Sequence, residues 1–499
     1  MNSIALPGRP SWRVQSETLT GCTPLQSYLA LRERYGADGV YILESLAGPG
    51  RDVRVALVGF DKVAEITIRG SSLLVEGRDP FVGMFRAWAH SCVFIDCDAS
   101  GLTIKPDRTW DVLKALRQEF APPGTTDIGF LSFFSYDAAW LIEKLPRHIP
   151  AEETEVPDIS LSLFRGTLTF DIVQGTAKVE YLENEADEPF STQTLRDQIA
   201  AVVEPIDVPQ AVPPSRVTDS MTKQKFEETV RDCLEHIAAG DIYQIQLGHE
   251  VRIQSAADPF DVYRRLRSIN PSPYMYFAPV CGTLVIGASP ELFIRKENNE
   301  ASMRPIAGTK RRSGDDSTDA KIADALRQDE KERAEHVMLI DLCRNDLGRV
   351  CEPGTLVVDE CMVVERYSHV LHLVSNVRAF LAPEEDVFSF IRATFPAGTM
   401  TGAPKIRAME LIESFESTRR SFYAGAGGLI TLSGDGVLAL CIRTALFRRG
   451  EYFIRASAGV VADSQPESEW QETLSKLAGT FVAITGADFP KNYTGEPAR

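Results

Sequence analysis

The sequence predicts an α+β fold organised around large, mainly antiparallel β-sheets packed face to face, with helices outside. Three observations carry that expectation. β-rich runs recur along the whole chain, short Gly turns join many of them, and the helical segments are fewer and do not alternate regularly with strands.

Taken in order, Pro24–Tyr35 reads as a helix, Gly39–Ser45 as a buried strand, Ala47–Gly50 as a turn and Val53–Phe60 as a returning strand. Ser91–Asp96, Gly129–Ser135 and Leu161–Ile172 continue the β pattern, with helices near 109–120 and 192–203. The segment Glu204–Ser215 carries four prolines in twelve residues, which excludes regular structure. It divides the chain into an N-terminal region over 1–203, a Pro-rich linker over 204–221, a C-terminal region over 222–485 and a tail over 486–499. Thr222–Ala239 reads as an amphipathic helix stopped by Gly240, followed by the strand Ile242–Gly248 and the helix Phe260–Ile269. Pro273–Pro279, Thr283–Gly287, Glu291–Arg295, Tyr423–Leu432, Leu438–Leu446 and Tyr452–Val461 read as strands. Helices are expected near 319–343, 384–394, 404–416 and 466–479.

A chain of 499 residues exceeds one ordinary core, so two unequal lobes in one compact body are expected. Its 44% apolar and 25% charged residues are those of a globular protein. A net charge of −17 argues against a nucleic-acid or anionic-membrane footprint. The nine cysteines are scattered without a Cys-x-x-Cys pair, the pattern of free thiols in a reducing compartment. The first ten residues lack a basic-then-apolar leader, and no run of about 18 apolar residues occurs. The expected location is the cytoplasm.

Two acidic helices stand out. Asp329–Asp341 is rich in good helix formers, and Glu332 and Glu335, three apart, share a face. In Pro466–Leu477, Pro466 suits a first turn, Glu469, Glu472 and Lys476 form one stripe, and Trp470, Leu474 and Leu477 form an apolar one. Two such helices could enclose a hard divalent cation, and all-carboxylate ligation suits Mg²⁺. The same spacing describes two solvated charged faces, and spacing alone leaves both open.

Gly398–Lys405 fails as a phosphate loop, because Lys does not follow the second Gly. Its exposed amides and Thr399, ahead of Pro404, could still hold a carboxylate. Gly425–Gly428 and Ala456–Gly459 place small residues in strands, as a bulge, a tight crossing or a close approach to a ligand requires. Arg443 sits in an otherwise apolar strand and needs an anion partner. His372 is either a satisfied core histidine or an acid–base group. Glu291 follows the turn Gly287–Pro290 and in isolation is a surface carboxylate.

Together these segments resemble the chorismate-utilising enzymes, and within them the anthranilate synthase component I branch. The resemblance runs through Gly240–Gln244, Asn270–Met275, Gly287–Glu291, Arg304–Thr309, Asp329–Val350, Arg366–His372, Phe395–Glu410 and Asp463–Lys476, and more thinly through Leu43–Ser45. It implies the α/β sandwich fold already expected, a regulatory and structural role for 1–203, and chorismate binding by 222–485. It implies that Glu335 and Glu472 ligate Mg²⁺, with Glu332 and Glu469 in or near its shell, and that the metal holds the ring carboxylate. Ala307, Gly308, Thr309, Thr399 and the Gly398–Gly402 turn would seat the substrate. Tyr423, Arg443, the backbone at Gly459 and Lys476 would grip its carboxylates. Glu291 would protonate the departing C4 hydroxyl, and His372 would assist the later loss of pyruvate.

Two positions bear on the nucleophile. Water-using relatives carry Lys where Gln244 stands, and relatives that form the 4-amino product often carry Lys where Ala307 stands. With Gln and Ala there, the resemblance implies attack by ammonia at C2, giving 2-amino-2-deoxyisochorismate and then anthranilate and pyruvate. The chain carries no glutaminase motif, so a separate glutamine amidotransferase subunit is the implied ammonia source. Glu44, Ser45, Asn270, Pro273, Tyr274 and Met275 match a tryptophan feedback pocket, although the neighbouring strand reads Arg54-Val-Ala56. The branch's Gly-Ala-Gly reads Ser457-Ala-Gly459 here, its Asp-x-Cys reads Val437-Leu-Ala439, and a Tyr is replaced by Leu429. These departures bear on substrate seating and elimination. Alternatives are a synthase that stops at an aminodeoxy acid, with the amine at C2 or C4, and a non-catalytic subunit that binds chorismate or tryptophan.

Overall fold

A computed structural model of the chain describes residues 13–48, 55–99, 101–122, 124–151, 156–183, 189–367 and 370–495. The turn expected over Ala47–Gly50 and the departure at Arg54 fall partly outside them. The described strands pair antiparallel into two sheets that share their longest members. One sheet runs Arg13–Thr20, Thr176–Glu183, Ile159–Asp171, Val55–Arg69, Val40–Glu44, Tyr274–Val280, Thr283–Ser289, Thr444–Arg448, Glu451–Val460 and Gln244–Gln254, in that spatial order. The other leaves Ile159–Asp171 through Gly129–Phe134, Ala426–Thr431, Gly436–Leu440, Leu292–Glu297 and Glu300–Met303 to Val370–Phe380. The Val55–Arg69 strand slips register between Lys62 and Ala64, and such a bulge lets one strand bend between sheets.

The fold follows from alternation. Leu131 and Phe133 from one sheet meet Tyr276, Ala278 and Val285 from the other in a dry layer between them. Helices cover the outer faces: Pro24–Tyr35, Pro259–Ile269 and Pro466–Thr485 bury side chains in one cluster, and Phe81–Ser91, Thr109–Phe120 and Val387–Thr394 in another. Backbone pairing joins Val40–Glu44 to Tyr274–Val280 and Gly129–Phe134 to Ala426–Thr431, so the regions before and after the Pro-rich segment share sheets. That segment forms neither helix nor strand over 204–214. Arg265 Nη1 donates to Gln210 O at 2.9 Å and holds it against the body.

Three local expectations change. The Ser91–Asp96 strand is the end of the helix Phe81–Ser91 followed by a strand from Ile95, because Phe81, Val82, Phe85 and Ala89 recur with helical rather than alternating period. The helix near 319–343 is two helices, Asp316–Gln328 and Glu330–Leu347, broken at Asp329, whose carboxylate accepts the amides of Lys331 and Glu332 as an N-cap. The Leu438–Leu446 strand is also two, with Arg443 in the break at φ +50°, a left-handed conformation that a non-glycine residue seldom adopts.

Candidate active site

The two acidic helices face each other. On Pro466–Thr485, Trp470 is fully buried, stacked on His249 with ring centroids 4.6 Å apart. Thr473 Oγ1 donates to the Trp470 carbonyl at 2.8 Å and lies 2.8 Å from His249 Nε2. Asp219 holds the other ring nitrogen of His249 at 2.9 Å. These contacts fix the turn that carries Glu469 and Glu472. Across from it, burial and the charges of Glu332 and Glu472 push the Glu335 carboxyl up. Burial pushes Glu469 up as well, with the Glu472 charge adding to it. One Glu469 oxygen, Oε2, is buried without a hydrogen-bond partner.

This arrangement fits a divalent cation: mutually repelling carboxylates and an orphaned buried oxygen are what a hard cation would satisfy. Among the described residues no three acidic, His or Cys side chains already converge on one point. Cations hold two of the carboxylates instead, Lys476 Nζ at 2.7 Å from Glu472 and Lys310 Nζ at 3.7 Å from Glu332. Gly308, at φ +62°, lies beside this cluster, where a Cβ would come within 3.0 Å of Glu332 Oε2.

Glu291 is positioned by Thr399, whose hydroxyl donates to Glu291 Oε1 at 3.0 Å. Burial outweighs that bond and the nearby Lys476 charge, and pushes the carboxyl up to about 7. Thr399 lies in the turn Gly398–Met400, which leads into the short pairing of Gly402 and Ala403 with the Gln244–Gln254 strand. At Gly402 a Cβ would sit 2.2 Å from the Gln244 carbonyl, so only glycine permits the approach. Gln244 is buried with its amide oxygen unpartnered. Its Nε2, like that of Gln246, lies where a Cβ on Gly459 would come within 3.0 Å.

Lys476 lies close enough for its charge to reach Glu291. Arg443 makes no ion pair among the described residues, and burial lowers its proton affinity. Its charge reaches His372, which burial lowers to about 4, leaving a neutral imidazole at pH 7. His372 Nδ1 lies 3.1 Å from both Gly308 O and Thr309 Oγ1. Ala307 is buried beside them in the same strand, Ile306–Arg311. Tyr423 is buried, its hydroxyl 2.6 Å from Ser457 Oγ. Lys476 Nζ donates to the Ser457 carbonyl at 2.9 Å.

The family pattern described as chorismate binding enzyme matches residues 74–481. The chain belongs to the chorismate-binding enzymes. It is 46% identical to the 2-amino-4-deoxychorismate synthase of Streptomyces globisporus, over 97% of this chain and 98% of that one. It is 40% identical to anthranilate synthase component 1 of Aquifex aeolicus, over 72% of this chain and 75% of that one. The crystal structure of anthranilate synthase component I from Streptococcus pneumoniae superposes with a TM-score of 0.68 at 30% identity, covering 86% of this chain and 92% of that one.

In this chorismate-binding enzyme the six residues matched to a feedback pocket divide. Glu44, Ser45, Pro273, Tyr274 and Met275 line a cleft of about 560 Å³ between the sheets, and Asn270 is not among its lining residues. Glu44 is committed structurally: Arg267 Nε donates to it at 2.9 Å and Tyr263 at 2.6 Å. Leu429, Val437 and Ala439, the other departures, line the same cleft. Ser457 lies against Tyr423 and Lys476 instead. Sequence reasoning passed over Gln246, although it stands two residues from Gln244 on the same strand face. It also missed the buried set in which Glu416 binds Arg420 at 2.7 Å and Arg455 at 2.6 Å. Arg420 then donates to the carbonyls of Met400 and Gln246, tying the Thr399 turn to the Gln244 strand. No described helix is long and apolar enough to cross a membrane.

Proposed function

We propose that the chain aminates chorismate at C2. The observation that carries this reading is Gln244, a buried residue whose unpaired amide oxygen can accept an N–H but cannot take a proton. Water needs a base to become a nucleophile at C2, whereas ammonia attacks without one. Ala307 offers no side-chain nucleophile, which leaves C2 open. The nitrogen lone pair bonds to C2, the ring double bonds shift toward C4, and the C4–O bond breaks. Glu291, with a carboxyl at about 7, delivers the proton that lets the oxygen depart as water. The adduct then loses an N–H proton to solvent. Thr399 holds Glu291 in place, and Arg443 and Lys476 offset the substrate's negative charge in a chain of net charge −17. Glu335 and Glu472, with Glu332 and Glu469, would hold Mg²⁺, which neutralises the ring carboxylate when bound. A partner glutamine amidotransferase is the proposed ammonia source.

The end point has two readings. Relatives named anthranilate synthase, and a neutral His372 as base, favour pyruvate loss. The Streptomyces globisporus relative, matched over nearly its whole length, is named for a product aminated at C2 that has lost the C4 oxygen. That name favours release of the aminated acid, and supports amination at C2 over C4. Incubation with chorismate, Mg²⁺ and ammonium at alkaline pH tests both. Chorismate loss with an aminated product supports the function, anthranilate fluorescence reports how far elimination proceeds, and unchanged chorismate rejects the enzyme reading.

A further inference from the structure

Ser457 sits at the junction of three site residues. Its hydroxyl donates to Gln246 Oε1 at 3.0 Å and lies 2.6 Å from the Tyr423 hydroxyl, while its carbonyl accepts from Lys476. All of these groups except Lys476 are buried. The protons can be counted. An amide oxygen only accepts, so the single Ser457 proton goes to Gln246. The Tyr423–Ser457 contact then has one proton available, the phenol's own. Tyr423 therefore donates to Ser457 and turns lone pairs, not an O–H, toward the site. A carboxylate arriving there meets an acceptor where a donor would have bound it.

We propose that Ser457 is a specificity-determining residue: by taking the Tyr423 proton it withdraws that phenol from the substrate's side-chain carboxylate and slows the loss of pyruvate. The inference rests on amination at C2. In the elimination that follows, the C2–H bond breaks, its electron pair forms the last ring double bond, and the C3–O pair leaves with the enolpyruvyl oxygen. The proton goes to a base in the site, and the departing enolate takes one from solvent. Negative charge grows on the leaving group, so a missing donor there raises this barrier. Amination places its growing charge on the C4 oxygen, at Glu291, and is spared.

The test is the ratio of anthranilate formed to chorismate consumed. Ser457→Ala removes only the hydroxyl, and Ser457→Gly removes the Cβ as well. Each is expected to raise the ratio by about fivefold, the worth of one recovered hydrogen bond. Adding Tyr423→Phe to either variant is expected to reverse the gain, and to lower the ratio more there than in the wild-type background. An unchanged ratio in both Ser457 variants, or an equal effect of Tyr423→Phe in both backgrounds, overturns the proposal. If the wild-type chain consumes no chorismate, the amination reading fails first and takes this one with it. A chain with Ser457 intact that converts chorismate stoichiometrically to anthranilate leaves amination standing and overturns only the role of Ser457.

Discussion

Thr399 donates its hydroxyl proton to Glu291 across 3.0 Å, and that bond works against the burial that holds the same carboxyl near 7. In its proposed role as general acid, Glu291 must be protonated to act. At a fixed concentration of free ammonia, kcat/KM is therefore expected to fall as pH rises through about 7. Thr399→Ala removes a stabiliser of the carboxylate, so the descending limb moves to higher pH. A pH–rate profile of both proteins checks the direction.

Glu291 also costs stability. Its folded value lies above the ordinary 4.5, so the penalty starts above 4.5 and is complete above about 7. Glu291→Gln is expected to abolish amination and to raise Tm at pH 8, with no gain at pH 4. Calorimetry at the two pH values reads this, and a lower Tm at pH 8 would remove the argument from burial.

The paired carboxylates are expected to respond to Mg²⁺ as a unit. Glu335→Gln and Glu472→Gln should abolish Mg²⁺-dependent turnover. Each should also lose the rise in Tm that Mg²⁺ gives the wild-type chain by binding the folded state. Full Mg²⁺-dependent activity in either variant contradicts the ligand assignment.

His372 is neutral across the working range, held by Gly308 and Thr309. His372→Met is expected to slow pyruvate release more than amination, so that the aminated acid builds up. Single-turnover product analysis separates the two steps, and equal slowing of both would strip His372 of that role.

Glu416 is buried between Arg420 and Arg455. Removing the anion leaves two uncompensated cations, and Glu416→Ala is expected to cost about 3–5 kcal/mol, readable in urea denaturation. Because Arg420 also spans the Met400 and Gln246 carbonyls, the same variant should loosen the Thr399 turn.

Much of this molecule was legible before folding. Nearly continuous apolar runs such as Gly129–Phe134 and the capped, amphipathic helices announce themselves through local chemistry. The paired Glu-x-x-Glu faces could be read as possible metal ligands, because helical spacing sets which carboxylates share a side. What remained hidden depends on partners distant in the chain. Glu416 looks like any helix-end carboxylate until Arg455, from a distant strand, closes on it beside Arg420. That Leu429 and Val437 share a cleft with Met275 shows only once the sheet brings their strands together. The break at Arg443 is invisible in an apolar run, since no Gly or Pro marks its positive φ.

The most direct test of amination at C2 supplies ¹⁵N-ammonium with chorismate and Mg²⁺ and locates the label in the product by NMR. ¹⁵N is expected on ring C2, with the C4 oxygen lost. Label at C4, or a product carrying new oxygen at C2 and no ¹⁵N, would contradict it.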